Sequence, residues 1–379
     1  MERTRFPDLV CLSHLRWNFV FQRPQHLMSR FARERRVFFF EEPLPSTDSD
    51  VPRLDVHRTP EGVVVAVPRL RPDLDLAASE REQGELLKAL LREHRVDEFV
   101  AWYWTPMALG FTDDLEPLAT AFDCMDELSL FRGASPLLLE REAALIARAD
   151  VMFTGGMSLY EHKRSLHPNV HGIPSSVDVE HFRSARTSQR DPVDQASIAH
   201  PRLGFFGVID ERFDTDLLRA AAAARPEWQW VMLGPIAKID PADLPRGPNV
   251  HWLGSKSYSE LPRYLAGWDV GVMPFARNDS TRFISPTKTP EFLAAGLPVV
   301  STSIRDVVTP YSEQGLVWIA DDPAALVACV ERLLRLDRRP HLERSDRFLA
   351  STSWDLTWAR MKALLDGATP SRRMSAPAA

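Results

Sequence analysis

Short apolar runs alternate with helical stretches along almost the whole chain, and the alternation stops once and then restarts. DLVCLS (8–13) reads as a strand, and Pro24 to Glu34 as a helix with Leu27 and Phe31 one turn apart. VFFFEE (37–42), VVVAV (63–67), EFVAWY (98–103), TAFDC (120–124), DVMFTGG (150–156) and NVHGIPS (169–175) read as further strands. Helices are expected over 79–94 and 136–148. Apolar strands separated by helices mean a parallel sheet covered on both faces. The stretch RSARTSQRDPVDQASIAH (183–200) is polar, carries Pro192 and has no sustained apolar period, so it reads as a linker. Beyond it the rhythm resumes, with a strand ending at Gly207 and others at 228–234, 249–254 and 269–275. Helices are expected over 215–225, 258–266, 323–336 and 353–365.

The pattern predicts an α/β chain of two Rossmann-like, doubly wound domains facing a cleft. Boundaries are expected at 1–183 for the first domain, 184–200 for the linker and 201–345 for the second domain. Closing helices at 346–366 would cross back to the first domain, followed by a disordered tail at 367–379. A chain of 379 residues is long for one core, which agrees with two domains. In such sheets ligands lie beyond the carboxyl ends of the strands, so the cleft is the default site.

Composition narrows the function. A net charge of −6 argues against a dedicated nucleic-acid binder. Cys11, Cys124 and Cys329 are far apart and odd in number, which suggests neither a disulfide framework nor a zinc ribbon and fits a reducing cytoplasm. MERTRFPD does not read as a signal peptide, and no apolar run approaches the ~18 residues of a membrane span. Arg30, Arg33, Arg35 and Arg36 concentrate positive charge on one predicted helix. That leaves a peripheral contact with the inner face of a membrane open, although a solvated helix face accounts for them more simply. DSD (48–50), DLD (73–75) and DTD (214–216) lack histidines at ligand spacing, so no metal is expected. Neither GxGxxG nor GxxxxGK[ST] occurs, which disfavours a dehydrogenase or an ATPase; no cofactor is expected.

The most informative chemistry lies at SPTKTPEFLAAGLPVVST (285–302). A polar turn of Ser285, Pro286 and Thr287 with Lys288 runs into a short helix expected to start at Pro290 and Glu291, with Thr289 as its cap. The helix should end at Gly296, before a buried strand over 297–302. A cation and a carboxylate at a helix N-terminus, where backbone N–H groups favour anions, would suit a phosphate next to a sugar bearing hydroxyls. Gly207 ends the first strand of the second half, and Arg212 follows it closely enough to pair with phosphate.

GFFGVIDERF (204–213), GPIAKIDP (234–241), NVHWLGSKSYSELPRYLAGWDVGVMPF (249–275) and SPTKTPEFLAAGLPVVST (285–302) occur in order. Together they resemble the nucleotide-sugar-binding half of a GT-B type glycosyltransferase, in the bacterial group that builds polysaccharides, teichuronic-type polymers and glycolipids. EREAALIARADVMFTGGMSLYEHKR (140–164), NVHGIPSSVDVEHF (169–182) and SWDLTWARMKALL (353–365) resemble the end of that family's first domain and its closing helix. The resemblance implies that Glu291 binds the ribose hydroxyls of a UDP- or GDP-linked sugar. Lys288, Arg212 and the backbone near Gly207 would face the diphosphate, and Gly234 would lie near the base or ribose. The sequence departs from the family at Phe283, eight positions before Glu291, where many retaining members carry a glutamate. The donor-sugar contact and the stereochemical outcome are therefore left open.

The first half should hold the acceptor, a saccharide or lipid-linked sugar. WNFVFQRPQH (17–26) joins the first strand to its helix, and Trp17, Gln22, Arg23 and Gln25 offer an aromatic platform with hydrogen-bonding groups. His26 is a candidate for the donor sugar or its phosphate. Asp126, and as second choice Asp123, lie at the end of the TAFDC strand and, if the enzyme inverts, are candidates for a base that deprotonates the acceptor hydroxyl. A sugar-nucleotide epimerase of the same architecture and a degenerate nucleotide-sugar-binding subunit are the competing readings.

Overall fold

The structure, a computed structural model, describes residues 6–46, 51–188 and 190–369. The DSD motif at 48–50, the first residues of the chain and most of the expected tail lie outside them. The first sheet is built from β1 (Asp8–Ser13), β2 (Val37–Glu41), β3 (Leu44–Pro45), β4 (Arg53–Arg58), β5 (Val64–Leu70), β6 (Phe99–Tyr103), β7 (Ala119–Cys124), β8 (Val151–Thr154) and β9 (Val170–Gly172). Its order is β3-β5-β2-β1-β6-β7-β8-β9. Every pairing is parallel except that of β4, which runs antiparallel along β5. Helices α1 (Arg23–Phe31), α2 (Leu76–Glu93), α3 (Leu109–Thr112), α4 (Leu138–Arg148) and α5 (Met157–Lys163) connect these strands, and α6 (Val179–Arg183) follows β9.

The second sheet contains β10 (Arg202–Phe206), β11 (Gln229–Leu233), β12 (Val250–Gly254), β13 (Val270–Met273), β14 (Val299–Ser301) and β15 (Val317–Ile319). It is parallel throughout, in the order β12-β11-β10-β13-β14-β15. Helices α7 (Thr215–Ala224), α8 (Leu261–Ala266), α9 (Lys288–Ala295), α10 (Arg305–Val307), α11 (Pro323–Leu333), α12 (Arg338–Leu349) and α13 (Trp354–Ala368) complete it. The starts of the longer helices are capped as their sequences dictate. Asp75, Asp214 and Asp322 accept from the backbone N–H groups of Ala78, Leu217 and Ala325 at 2.7 to 2.8 Å.

Several elements differ from the sequence expectation. Helix α9 begins at Lys288, two residues before the expected start, and Thr287 stands at its cap position rather than Thr289. Pro290 then sits in the first turn, where no intrahelical N–H bond is needed, so proline does not mark the boundary. Gly296 closes the helix with φ +86°, as expected. The segment expected as a linker folds onto the second domain: Ala185 and Ile198 enter its core. Buried Gln195 donates to the Tyr264 carbonyl at 3.0 Å and accepts from Trp268 at 2.9 Å. A few irregularly spaced apolar residues do this, which a periodicity test does not register. Strand β4 has no counterpart in the sequence reading, helix α12 starts at Arg338, ahead of the closing helices expected from 346, and α13 runs through Gly367, where a disordered tail was expected.

Helix α13 returns to the first domain, where Trp354, Met361 and Leu365 pack with Leu27, Phe31 and Trp102. The basic cluster on α1 and just after it is spent on internal pairs. Arg30 and Arg33 hold Asp355 at 2.9 and 3.0 Å, and Arg35 holds Asp366 at 3.0 Å. Arg36 binds Asp8 through Nε at 2.8 Å.

A buried ion pair pins the centre of the first domain. The Arg23 guanidinium grips Asp123 through Nε and Nη2 at 2.9 Å each, and both side chains are fully excluded from solvent. The same guanidinium donates to the Ile173 carbonyl at 2.8 Å, and Trp104 Nε1 donates to Asp123 at 3.0 Å. The sequence reading offered Arg23 for the acceptor and Asp123 as a base, whereas the structure buries both side chains and spends them on each other. Removing one partner strands the other charge in the interior, which costs about 3–5 kcal/mol. Asp123→Ala should therefore lower the stability of the first domain by that amount in urea unfolding followed by tryptophan fluorescence, and a loss below about 1 kcal/mol would contradict the pin.

Candidate active site

In both sheets the strand order reverses direction at an interior pair, and the connections change face there. The reversal lies between β1 and β6 in the first sheet and between β10 and β13 in the second. Crevices at such points are where open α/β sheets receive ligands.

At the second reversal, Gly207 follows β10 with φ +151°, and the Gly234 loop packs against it. A Cβ at Gly234 would strike the Gly207 carbonyl, so glycine is required for this approach. The Lys288 ammonium lies 4.4 Å from the Phe206 ring centroid, and its aliphatic chain borders Gly207. It pairs with Glu291 at 2.8 Å and donates to the Thr287 hydroxyl at 3.1 Å. Glu291 is 7% exposed, and burial raises its pKa against the pull of Lys288. A half-buried cation and a carboxylate with oxygens to share thus stand together at a helix start, beside two glycine turns. Arg212 is held by Asp210 through Nε at 2.9 Å and Nη2 at 2.6 Å, and lies over Phe131 of the first domain at 5.4 Å.

The first domain meets this surface mainly through α5. Both Asp306 oxygens accept from the N-terminus of that helix, from Met157 N–H and Ser158 N–H at 2.9 Å each. Gly156 makes the approach feasible, since a Cβ there would collide with the Asp306 carboxylate and with Ser285. Phe283 stacks on His162 with ring centroids 4.6 Å apart. The position where many relatives carry a sugar-contacting glutamate is therefore used here for packing between domains. Glu211 accepts from Arg132 N–H at 2.9 Å, and Phe21 packs on Tyr258 at 4.8 Å.

Of the residues expected to bind acceptor, three are structural. Trp17 is 8% exposed and packs edge-on to Phe39 at 5.1 Å, while Gln25 donates to the Trp17 carbonyl at 2.7 Å. Arg23 belongs to the buried pin. Gln22 stands at the N-cap of α1, and its N–H donates to the Gln25 side chain at 3.0 Å. His26 stacks flat on Trp354 at 4.4 Å, with Phe21 edge-on at 4.7 Å. Burial first, then Arg30, His181 and Lys288, push its pKa down to about 3, so it is an uncharged ring in an aromatic cluster.

Asp126 stays in the candidate site. It follows β7, is half-buried and interacts with Arg212 and Asp210 of the other domain. The loop that carries it is braced from below by Lys163, which lies 2.6 Å from Glu127 and 2.8 Å from Glu142. Three residues that the sequence reading missed also face this region. His14 lines a small cavity together with Asp126. Lys238 has a left-handed backbone (φ +59°) and lies 5.6 Å from the Phe131 ring centroid. Asp306 joins the domains. Only His14 had a readable signal, since it directly follows a strand at the mouth of the sheet. Among the described residues no group of three or more His, Cys, Asp and Glu side chains is placed to hold a metal ion, and no helix is long and apolar enough to cross a membrane.

Residues 200–336 match the family described as Glycosyl transferases group 1. A Bacillus subtilis (strain 168) protein, provisionally assigned as the teichuronic acid biosynthesis glycosyltransferase TuaH, is 30% identical over 236 residues. That match covers 56% of this chain and 58% of the relative, so it spans little more than half of the relative's length. Sucrose-phosphate synthase from Thermosynechococcus elongatus shares the architecture with a TM-score of 0.69 at 17% identity, over 96% of this chain and 99% of its own. HepE of Anabaena in complex with UDP does so with a TM-score of 0.66 at 12% identity, over 96% of this chain and 100% of its own. With its two parallel sheets facing a cleft, the chain has the GT-B fold, and its second half is similar to the Glycosyl transferases group 1 family.

Proposed function

We propose that the protein transfers a sugar from a UDP- or GDP-linked donor to a saccharide or lipid-linked acceptor, on the cytoplasmic side, in cell-surface polysaccharide or glycolipid synthesis. The observation that carries this reading is the Lys288–Glu291 pair at the start of α9, set against Gly207 and Gly234 where the second sheet reverses. The relative assigned to teichuronic acid biosynthesis and the UDP held by a protein of the same fold agree with it.

In this reading Glu291 accepts hydrogen bonds from the ribose hydroxyls, and Ser285, Pro286 and Thr287 form the turn beneath the diphosphate. Lys288, Arg212 and the first-turn N–H groups of α9 face the phosphates. Breaking the anomeric C–O bond leaves its electron pair on the diphosphate, and fixed positive charge stabilises that group most in the transition state. These side chains supply the charge without a metal ion. The acceptor oxygen forms the new bond to the anomeric carbon, and its proton passes to Asp126. Closure of the cleft keeps water from the donor.

Two measurements follow. Calorimetric titration with UDP and GDP should give micromolar binding of one of them to the wild type, and at least about a tenfold loss in Glu291→Ala, since buried hydrogen bonds to a charged group are each worth about 1.5–3 kcal/mol. Negligible heat from both nucleotides in both proteins would end the nucleotide reading. The second concerns Asp126, whose carboxyl is pushed above its ordinary value by burial, with Arg212 opposing the shift. A base works only when unprotonated, so kcat/KM should fall as the pH drops through that raised pKa. The acid limb should lie above the value of about 3.9 for an ordinary aspartate. Asp126→Asn should remove the activity that shows this limb, and an unchanged profile in that variant would exclude the residue as base.

A further inference from the structure

The end of α11, the turn after it and α12 carry six arginines: Arg332, Arg335, Arg338, Arg339, Arg344 and Arg347. All six are exposed, and among the described residues none of their guanidinium groups is paired with a carboxylate. The neighbouring carboxylates are engaged elsewhere. Glu331 is held by Arg225, and Asp346 by Arg186 at 2.8 and 2.9 Å. Asp337 caps α12, accepting from the Arg339 backbone N–H at 3.1 Å. Of the acidic side chains in this stretch, Glu343 alone is left to offset the arginines. The chain as a whole carries −6, so the local excess runs against its overall charge.

Buried His341 registers the excess from beneath. Burial is the larger cause of its lowered pKa, opposed by the hydrogen bond to the Leu297 carbonyl, and Arg344, Arg338 and Arg186 add to the lowering. The arginines of α1 are the opposite case, because Arg30 and Arg33 are spent on Asp355. On α12, Arg339 and Arg347 stand on the side away from buried His341, Ser345 and Leu349, and so face water.

Extent and composition choose the partner. Helix α12 alone is about 18 Å long, so its arginines are spread too widely to converge on one phosphate group. Among the described residues, no large hydrophobic side chain between 332 and 349 is exposed, so the apolar centre of a protein interface is missing. Missing with it are the exposed aromatic rings on which single-stranded nucleic acid would stack. A broad layer of negative charge, bound without insertion of apolar groups, fits what is left.

We propose that the exposed face of α12, together with the end of α11, docks the protein on an anionic lipid surface. Docking there brings the cleft to a lipid-linked acceptor of the kind proposed above, but the contact depends on charge and not on that reaction.

Vesicle flotation tests it with the full chain. Wild type should float with vesicles that are about one third phosphatidylglycerol in phosphatidylcholine, and not with phosphatidylcholine alone. Raising the salt from about 0.1 M to about 0.5 M should release it, since exposed charges are screened. Each arginine near such a surface strengthens binding about fivefold, so Arg339→Glu, Arg344→Glu and Arg347→Glu combined should weaken it at least about a hundredfold. Arg33→Glu on α1 should stay within about twofold of wild type, because that side chain is already paired. Equal binding to neutral and anionic vesicles, insensitivity to salt, or a triple variant that binds like wild type would each overturn the proposal. Binding of a single-stranded RNA in place of the vesicles would also overturn it. The lipid and salt comparisons use wild type alone, so they decide the matter even where the triple variant does not fold.

Discussion

The Arg23–Asp123 pair is the constraint on which the first domain's half of the cleft depends. One guanidinium joins the start of α1, the end of β7 and the chain leaving β9, and its Nη2 lies 3.6 Å from the Met361 sulfur of α13. The loops after β1 and β7, which carry His14 and Asp126, leave the sheet on either side of this junction. A fully buried ion pair is costly to assemble and more costly to break, so it tolerates one arrangement of those elements. The trade is against binding. The arginine and aspartate nearest the mouth of the sheet are consumed in shaping it, and the polar groups left over do the facing.

Closure follows a similar logic at α5. Its exposed N-terminal N–H groups are satisfied by Asp306 of the opposite domain, and Phe283 covers His162 on the same helix. A helix end needs partners for its first N–H groups, and here they come from across the cleft. The departure at Phe283 thus has a structural account. The aromatic ring adds to the joint between domains, and any donor-sugar contact must come from elsewhere in the cleft.

The architecture was readable because parallel strands buried on both faces write themselves as apolar runs, and helices between them keep their own period. Strand β4 was not, since it lies half-exposed at the edge of the sheet and carries only two apolar residues, Leu54 and Val56. Nor was the folding of residues 184–198 onto the second domain, which depends on isolated residues meeting distant partners. Within the site, Lys288 and Glu291 were legible because helix-start chemistry is local. Trp17, Arg23 and Gln25 misled for the opposite reason: their composition suits a sugar, but long-range contacts turn them inward. Asp306 and Lys238 gave no signal, because their partners lie on the other domain and sequence spacing carries no record of that.

The central claim is that the start of α9 and the loop after β10 form the leaving-group end of a nucleotide-sugar site. Hydrogen–deuterium exchange on the intact protein, with and without saturating UDP or GDP, tests it most directly. The account predicts added protection at residues 207–213 and 285–292 with one of the two nucleotides. Protection confined to other segments, with these two unchanged, would contradict it.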